Sequence, residues 1–173
     1  MSTAREKEPF DLDRLRDACQ LGTLYRGGAV VVIEESVLDE ILAYSGRTVA
    51  GEVGGFLLGE VFPQETPCTI VRYFHPAAQA TSRAASLTFT HETWADLHRQ
   101  AESRFPGAAV VGWQHTHPGF GVFLSAHDLF IHRNFFSEPW QIAMVVDPRR
   151  EELGFFHWRN GDVHDCGFVC LGP

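Results

Sequence analysis

Long hydrophobic runs are missing from this chain. The longest purely aliphatic stretch, Ala29 to Ile33, falls far below the roughly 18 residues that a membrane-spanning helix requires. Residues 1–28 carry no apolar core of the kind that a secretory signal needs. Basic residues are scarce as well. Fourteen Lys and Arg stand against twenty-two Asp and Glu, for a net charge of -8, and no basic cluster interrupts the acidic background. That balance argues against nucleic acid and against an anionic membrane as partners. The chain has four cysteines, Cys19, Cys68, Cys166 and Cys170. Cys166 and Cys170 have no partner pair with which to build a zinc knuckle, and no disulfide framework is expected. The four are read as reduced, mostly buried thiols of a cytoplasmic protein.

What is present fits one compact α/β (α+β) domain. A chain of 173 residues with 45% hydrophobic and 12% aromatic content buries its own core and leaves no room for a second domain. Residues 1–28 read as a loosely ordered N-terminal arm, with one short helix at Asp11–Cys19 and a break at Gly27-Gly28; residues 29–173 form the domain. Val30–Ile33 is a β run. Ser36 then resembles an N-cap with Asp39 three positions on, and Gly46 ends the helix that follows.

Gly54–Phe62 and Thr69–Phe74 read as neighbouring strands around the turn-rich residues 63–67. Residues 75–86 form an irregular surface excursion before a short strand, Leu87–Phe89. A second helix starts near Thr90, with Trp94, Leu97, Ala101 and Phe105 on one side, and stops at Pro106-Gly107. Ala108–His115 is an apolar strand, a third and shorter helix follows Ser125, and Gln141–Val146 is another strand. Leu153–Trp158 and Val163–Leu171 make a closing hairpin around Asn160-Gly161. The order predicts a central mixed sheet flanked by two longer helices and one short one.

The chemistry concentrates at His115-Thr116-His117-Pro118, Ser125 and Asp128. Two histidines two residues apart on an extended segment point to the same side, and the carboxylate of Asp128 can close over them. Two imidazoles and one carboxylate leave the fourth tetrahedral position of a zinc ion to water, the arrangement of a catalytic rather than a closed structural site. Hydrolysis is the implied reaction. Ser125-x-x-Asp128 also reads as a helix capping box, which sets a hydroxyl and a carboxylate together at a helix N-terminus. Ser125 is the candidate oxyanion donor. Glu52, just before a glycine-rich apolar strand, is the candidate general base. His127 and His132 lie close to these residues in sequence; either could supplement Asp128 as a ligand, but both are expected to face solvent on the third helix.

Together, Glu52, His115-x-His117, seven intervening residues and Ser125-x-x-Asp128 resemble the signature of the JAMM metalloproteases, the zinc-dependent members of the MPN-domain family. The run Val111-Gly112-Trp113-Gln114-His115-Thr116-His117-Pro118-Gly119-Phe120-Gly121-Val122-Phe123-Leu124-Ser125 is similar, almost position by position, to the corresponding segment of the deubiquitinating subunits of the proteasome lid and the signalosome. The resemblance covers residues 30–160. It implies one Zn2+ per chain with a catalytic water, held by His115, His117 and Asp128. Glu52 would act as base and then acid, and Ser125 would steady the tetrahedral intermediate.

The implied substrates are peptide or isopeptide bonds after the C-terminal glycine of ubiquitin or a ubiquitin-like protein. Gln114 and Thr116 stand where many eukaryotic members carry Tyr and Ser. No second zinc-binding insertion and no helical C-terminal extension is visible, so the chain resembles a compact prokaryotic member. The ubiquitin-like partner could belong to a bacterial conjugation or anti-phage system. Three alternatives stand beside this reading: processing of a ubiquitin-fold sulfur carrier, a metal-free MPN scaffold, and a small-molecule amidase.

Overall fold

The computed structural model describes residues 8–47, 50–77, 81–83, 86–88 and 91–173, with backbone alone for 81–83, 86–88 and His91. In chain order, a 3-10 turn at Leu12–Leu15 precedes β1 (Cys19–Leu21), β2 (Val30–Glu34), α1 (Glu35–Gly46), β3 (Gly54–Phe62) and β4 (Cys68–Pro76). Then come β5 (Thr81–Arg83), β6 (Ser86–Thr88), α2 (His91–Arg104), β7 (Ala109–Thr116) and α3 (Ala126–Phe135). β8 (Ile142–Asp147), β9 (Glu152–Arg159), β10 (Asp162–Cys166) and β11 (Phe168–Leu171) complete the chain. Nine strands form one mixed sheet in the order β1-β11-β2-β4-β3-β7-β8-β9-β10, and β5 and β6 pair separately. The mixed sheet with three helices is the architecture expected.

The sheet curls. Consecutive strands β10 and β11 lie near its opposite ends, a single bridge joins Gly28 to Arg159, and His157 Nδ1 lies 2.8 Å from the Ala29 carbonyl. Val163–Leu171 is therefore not one arm of a hairpin, as its alternation predicted. β10 pairs with β9, while β11 crosses to pair with β2 and β1. The switch falls at Gly167, where a Cβ would lie 2.5 Å from the Leu21 carbonyl oxygen, so no larger side chain fits.

One face of the sheet packs Val31, Ile33, Leu57, Val71, Val111 and Met144 against Val37 and Ile41 of α1. The other packs Phe56, Leu58, Trp113 and Val145 against Leu97 and Ala101 of α2 and Ile131 of α3. Strict alternation along β7 would put Val111 and Trp113 on the same face. They are on opposite faces because the pairing of β7 with β3 slips there: Leu57 opposes Gly112, and Leu58 opposes Val110. Val111 is the extra residue of a β-bulge. Beyond it, Trp113 and His115 share the α3 face, and Gln114 turns to α1, donating from Nε2 to Ser45 Oγ at 3.0 Å.

Several local expectations change. The segment read as a loosely ordered arm makes packing contacts over residues 8–28. Phe10, Leu12, Leu15 and Leu24 pack on Val32, Ile70 and Val169, and β1 pairs with β11. Apolar residues spaced along that segment find a third, small core. Its expected helix is the 3-10 turn alone, capped by Asp11, whose side chain accepts from Asp13 N–H. α1 begins at Glu35 with Glu34, not Ser36, at the N-cap, because β2 runs into the helix without a loop. Residues 81–83 and 86–88 form a hairpin where an irregular stretch and a short strand were expected. Phe89 and Thr90, the expected ends of that strand and start of the next helix, lie outside the described residues. Of the cysteines, Cys68 is buried, Cys166 and Cys170 are half-buried and Cys19 is exposed, so "mostly buried" does not hold.

Candidate metal centre

His115 lies on β7 and His117 one residue past its end, where the His117 N–H donates to the Val146 carbonyl on β8 at 2.9 Å. Asp128 comes from the first turn of α3. Ser125 is the N-cap of that helix: its Oγ accepts from Asp128 N–H at 3.1 Å, and its own N–H donates to Asp128 Oδ2 at 2.8 Å, a complete capping box. The cap thus holds the carboxylate toward the strand end. Glu52, His115, His117 and Asp128 are all buried, and Ser125 is half-buried.

His115 Nε2, His117 Nε2 and Asp128 Oδ2 converge. The two Nε2 atoms are 3.1 Å apart, and each is 3.2 Å from Oδ2. Tetrahedral zinc with bonds near 2.05 Å sets its ligands about 3.3 Å apart, so the triangle suits such an ion. The donors suit it chemically as well. With His117 Nδ1 donating to the Gly121 carbonyl at 3.2 Å, its Nε2 carries a lone pair, and three electron-rich atoms then face one another away from water. A cation between them relieves the repulsion. Among the described residues this is the one such group of histidine, cysteine or carboxylate side chains. Glu52 completes the constellation, with Oε1 at 3.7 Å from His117 Nε2.

Burial pulls the His115 imidazole below its ordinary range, against the pull of Asp128. Burial also opposes charge on His117, but the Asp128 and Glu52 carboxylates outweigh it and raise that group. The same burial would raise Asp128, yet the two adjacent imidazoles in their protonated forms and the hydrogen bond from Ser125 N–H hold it far below the usual carboxylate range. Asp128 is therefore an anion at any working pH.

A family model described as JAB1/Mov34/MPN/PAD-1 ubiquitin protease matches residues 26–138, which include Glu52, His115, His117, Ser125 and Asp128. The chain belongs to this family. Among its relatives, the NAD(+) hydrolase TcpA of a Theionarchaea archaeon is 31% identical over 81 residues, 46% of this chain and 25% of that protein. The 26S proteasome regulatory subunit rpn11 of Schizosaccharomyces pombe is 29% identical over 154 residues, 83% of this chain and 48% of the relative. The chain thus spans about half or less of the length of these curated relatives. The solution structure of a Desulfitobacterium hafniense protein superposes with a TM-score of 0.64 at 17% identity, over 83% of this chain and 94% of that one, and so shares the fold.

Around the MPN constellation lie supports that reading along the chain did not find. Thr116, noted there only as a departure from Ser, pins the segment that carries Glu52. Its N–H donates to the Val53 carbonyl and its Oγ1 accepts from Val53 N–H, both at 2.9 Å. His132, expected in solvent, is fully buried. Its Nδ1 accepts from Trp113 Nε1 at 3.1 Å, and Trp113 stacks on His115 with ring centroids 4.4 Å apart. The sequence did hold a signal, because position 132 is one helical turn beyond Asp128 and shares its inward face. His127 is exposed, as expected. Burial lowers His132 to about 4, with Arg133 adding to the effect. Asp147, read only as a strand end, is buried and accepts four backbone N–H groups; they hold it below the ordinary range although burial acts in the other direction.

Proposed function

We propose that this protein is a zinc-dependent isopeptidase that cleaves after the C-terminal glycine of ubiquitin or a ubiquitin-like protein. The observation that carries the reading is the buried triangle of His115 Nε2, His117 Nε2 and Asp128 Oδ2 with the Glu52 carboxylate beside it. Family membership supports it, since the matching family is described as a ubiquitin protease. His115, His117 and Asp128 would hold one Zn2+, which when bound supplies Lewis acidity toward the scissile carbonyl and lowers the pKa of water.

Glu52 takes a proton from the attacking water and returns it to the leaving amine. Ser125 suits the oxyanion role: its Oγ already accepts from Asp128 N–H, so its own proton is available to donate to the developing negative charge. Phe123, 4.7 Å from the His117 ring between centroids, shields the histidine edge from solvent. A glycine-ending tail suits such a site because glycine alone lets the backbone approach so closely. The β5–β6 hairpin offers strand edges to which an extended tail can add.

The proposed partner is thus a ubiquitin-like protein and its conjugates, in the cytoplasm, with a bacterial conjugation or anti-phage system as the setting. Among the described residues no helix is long and apolar enough to cross a membrane. Measuring zinc content together with cleavage of a ubiquitin-like fusion, in wild type and Glu52→Gln, tests the reading. One zinc in both proteins with cleavage by wild type alone is the expected result. Zinc without cleavage of any such fusion would redirect the search to a sulfur-carrier tail or a small amide. Absence of zinc would favour a non-catalytic MPN scaffold.

A further inference from the structure

His117 is the one candidate ligand that stands beyond the strand which aims it. β7 ends at Thr116, and the residues that follow turn sharply through Gly119 and Gly121, both in the left-handed region with φ of 83° and 88°. Such a turn has no regular hydrogen-bond ladder of its own. Yet the Gly121 carbonyl faces His117 Nδ1 at 3.2 Å, and this contact fixes which ring nitrogen carries the proton and therefore which one presents a lone pair to the metal.

The turn is held from β8. Asp147 Oδ2 accepts from Gly121 N–H at 2.8 Å, and Oδ1 accepts from Gly119 N–H at 2.8 Å, from Arg149 N–H at 3.0 Å and from Arg150 N–H at 3.1 Å. Every one of these donors is a backbone group, so the carboxylate ties the 119–121 turn and the 149–150 turn to one point. Asp147 is fully buried and is not part of the ligand triangle. Burying a carboxylate is costly; besides the Arg150 guanidinium, whose Nε lies 3.6 Å from Oδ2, the groups that compensate it are the backbone N–H donors of the two turns. Its presence here is explained if the turn must have one shape.

We propose that Asp147 is a positioning residue for the metal centre, acting through the Gly121 peptide to set the tautomer and orientation of His117. The inference rests on the zinc reading above. An asparagine in its place keeps one acceptor oxygen but turns an amide N–H toward one of the backbone donors, so the Gly119 and Gly121 N–H groups cannot both be satisfied. The Gly121 carbonyl then loses its fixed direction.

The test is zinc affinity by chelator competition, with the ligand-field spectrum of the cobalt-substituted protein, for wild type, Asp147→Asn and Thr69→Val. Thr69 is a matched control for lost stability, since its buried hydroxyl donates to the Trp140 carbonyl at 2.7 Å away from the site. Folded Asp147→Asn is expected to bind zinc about 10–100-fold more weakly, as loss of an outer-shell partner does, and to show an altered cobalt band. Thr69→Val should lower the melting temperature and change neither. Wild type that binds zinc beside an Asp147→Asn with equal affinity and an identical cobalt spectrum overturns the inference and leaves the zinc reading intact. Wild type that binds no zinc overturns both. If Asp147→Asn does not fold, Gly121→Ala carries the test, because alanine is strained at φ 88°; unchanged zinc affinity in that variant overturns the inference equally.

Discussion

Beneath α1 the sheet buries Val31, Ile33, Leu57, Val71, Val111 and Met144, a surface where any well-shaped apolar side chain serves. On the opposite face the same strand, β7, passes from Trp113 to His115 and on to His117, and the groups around them, Glu52, Asp128, His132 and Asp147, are polar and buried too. The first region is held by area removed from water, which is non-directional. The second is held by hydrogen bonds whose geometry admits few substitutes. One strand supplies both because a single bulge at Val111 rotates its second half. The chemistry is thereby confined to one face, while packing holds both, so variants beneath α1 and variants at the candidate site should fail differently.

The largest effect expected is in Glu52→Gln. Loss of the base should lower cleavage of a ubiquitin-like fusion by about 10²–10⁴-fold while zinc content, read by elemental analysis, stays as in wild type. Zinc lost together with activity would make Glu52 a ligand instead. His117→Ala should weaken zinc by more than the roughly 100-fold upper range for outer-shell changes, measured by chelator competition; retained affinity would remove His117 from the site.

Ile41→Ala, on the α1 face, should cost about 2–5 kcal/mol in denaturant unfolding with zinc affinity unchanged in the folded protein. An effect on zinc there would erase the separation of the two faces. Thr116→Val leaves the N–H of half-buried Val53 without its hydroxyl partner, at about 0.5–1.5 kcal/mol. It should reduce turnover more than it reduces zinc binding, since the segment it frees carries the base and not the ligands.

The smallest effect concerns acid. His132 is neutral in the fold down to about 4, whereas in the unfolded chain it takes up a proton below about 6.5. Its contribution to stability is therefore complete above that pH and is lost as pH falls toward 4. His132→Asn can still accept from Trp113 without titrating, so its melting temperature should fall by a few degrees less than that of wild type between those two pH values. Parallel curves for the two proteins would mean that His132 is not held neutral.

Much of this organisation was legible along the chain. Gly54–Phe62, the helix after Ser125 and the positions of His115, His117 and Asp128 follow from local periodicity and capping, and the capping box is present as read. The strand past Asn160-Gly161 was misread because β10 and β11 carry similar alternating patterns yet pair at opposite ends of a curled sheet. Over residues 8–28 the scattered apolar residues show no period, and only the fold shows the small patch around Val32 and Val169 on which they pack. His132 and Asp147 looked like ordinary polar residues, since burial of a polar side chain leaves no mark in composition.

By itself the sequence determined which donor atoms the site has and how they are spaced on a strand end and a helix cap, because side-chain direction within one element follows from its local repeat. Tertiary structure alone decided that Glu52, on the segment leading into β3, comes within 3.7 Å of His117, and that β8 lends Asp147 to the turn beside it. Such contacts depend on which strands become neighbours and where a register slips. Those are properties of the closed sheet, and no local stretch of chain encodes them.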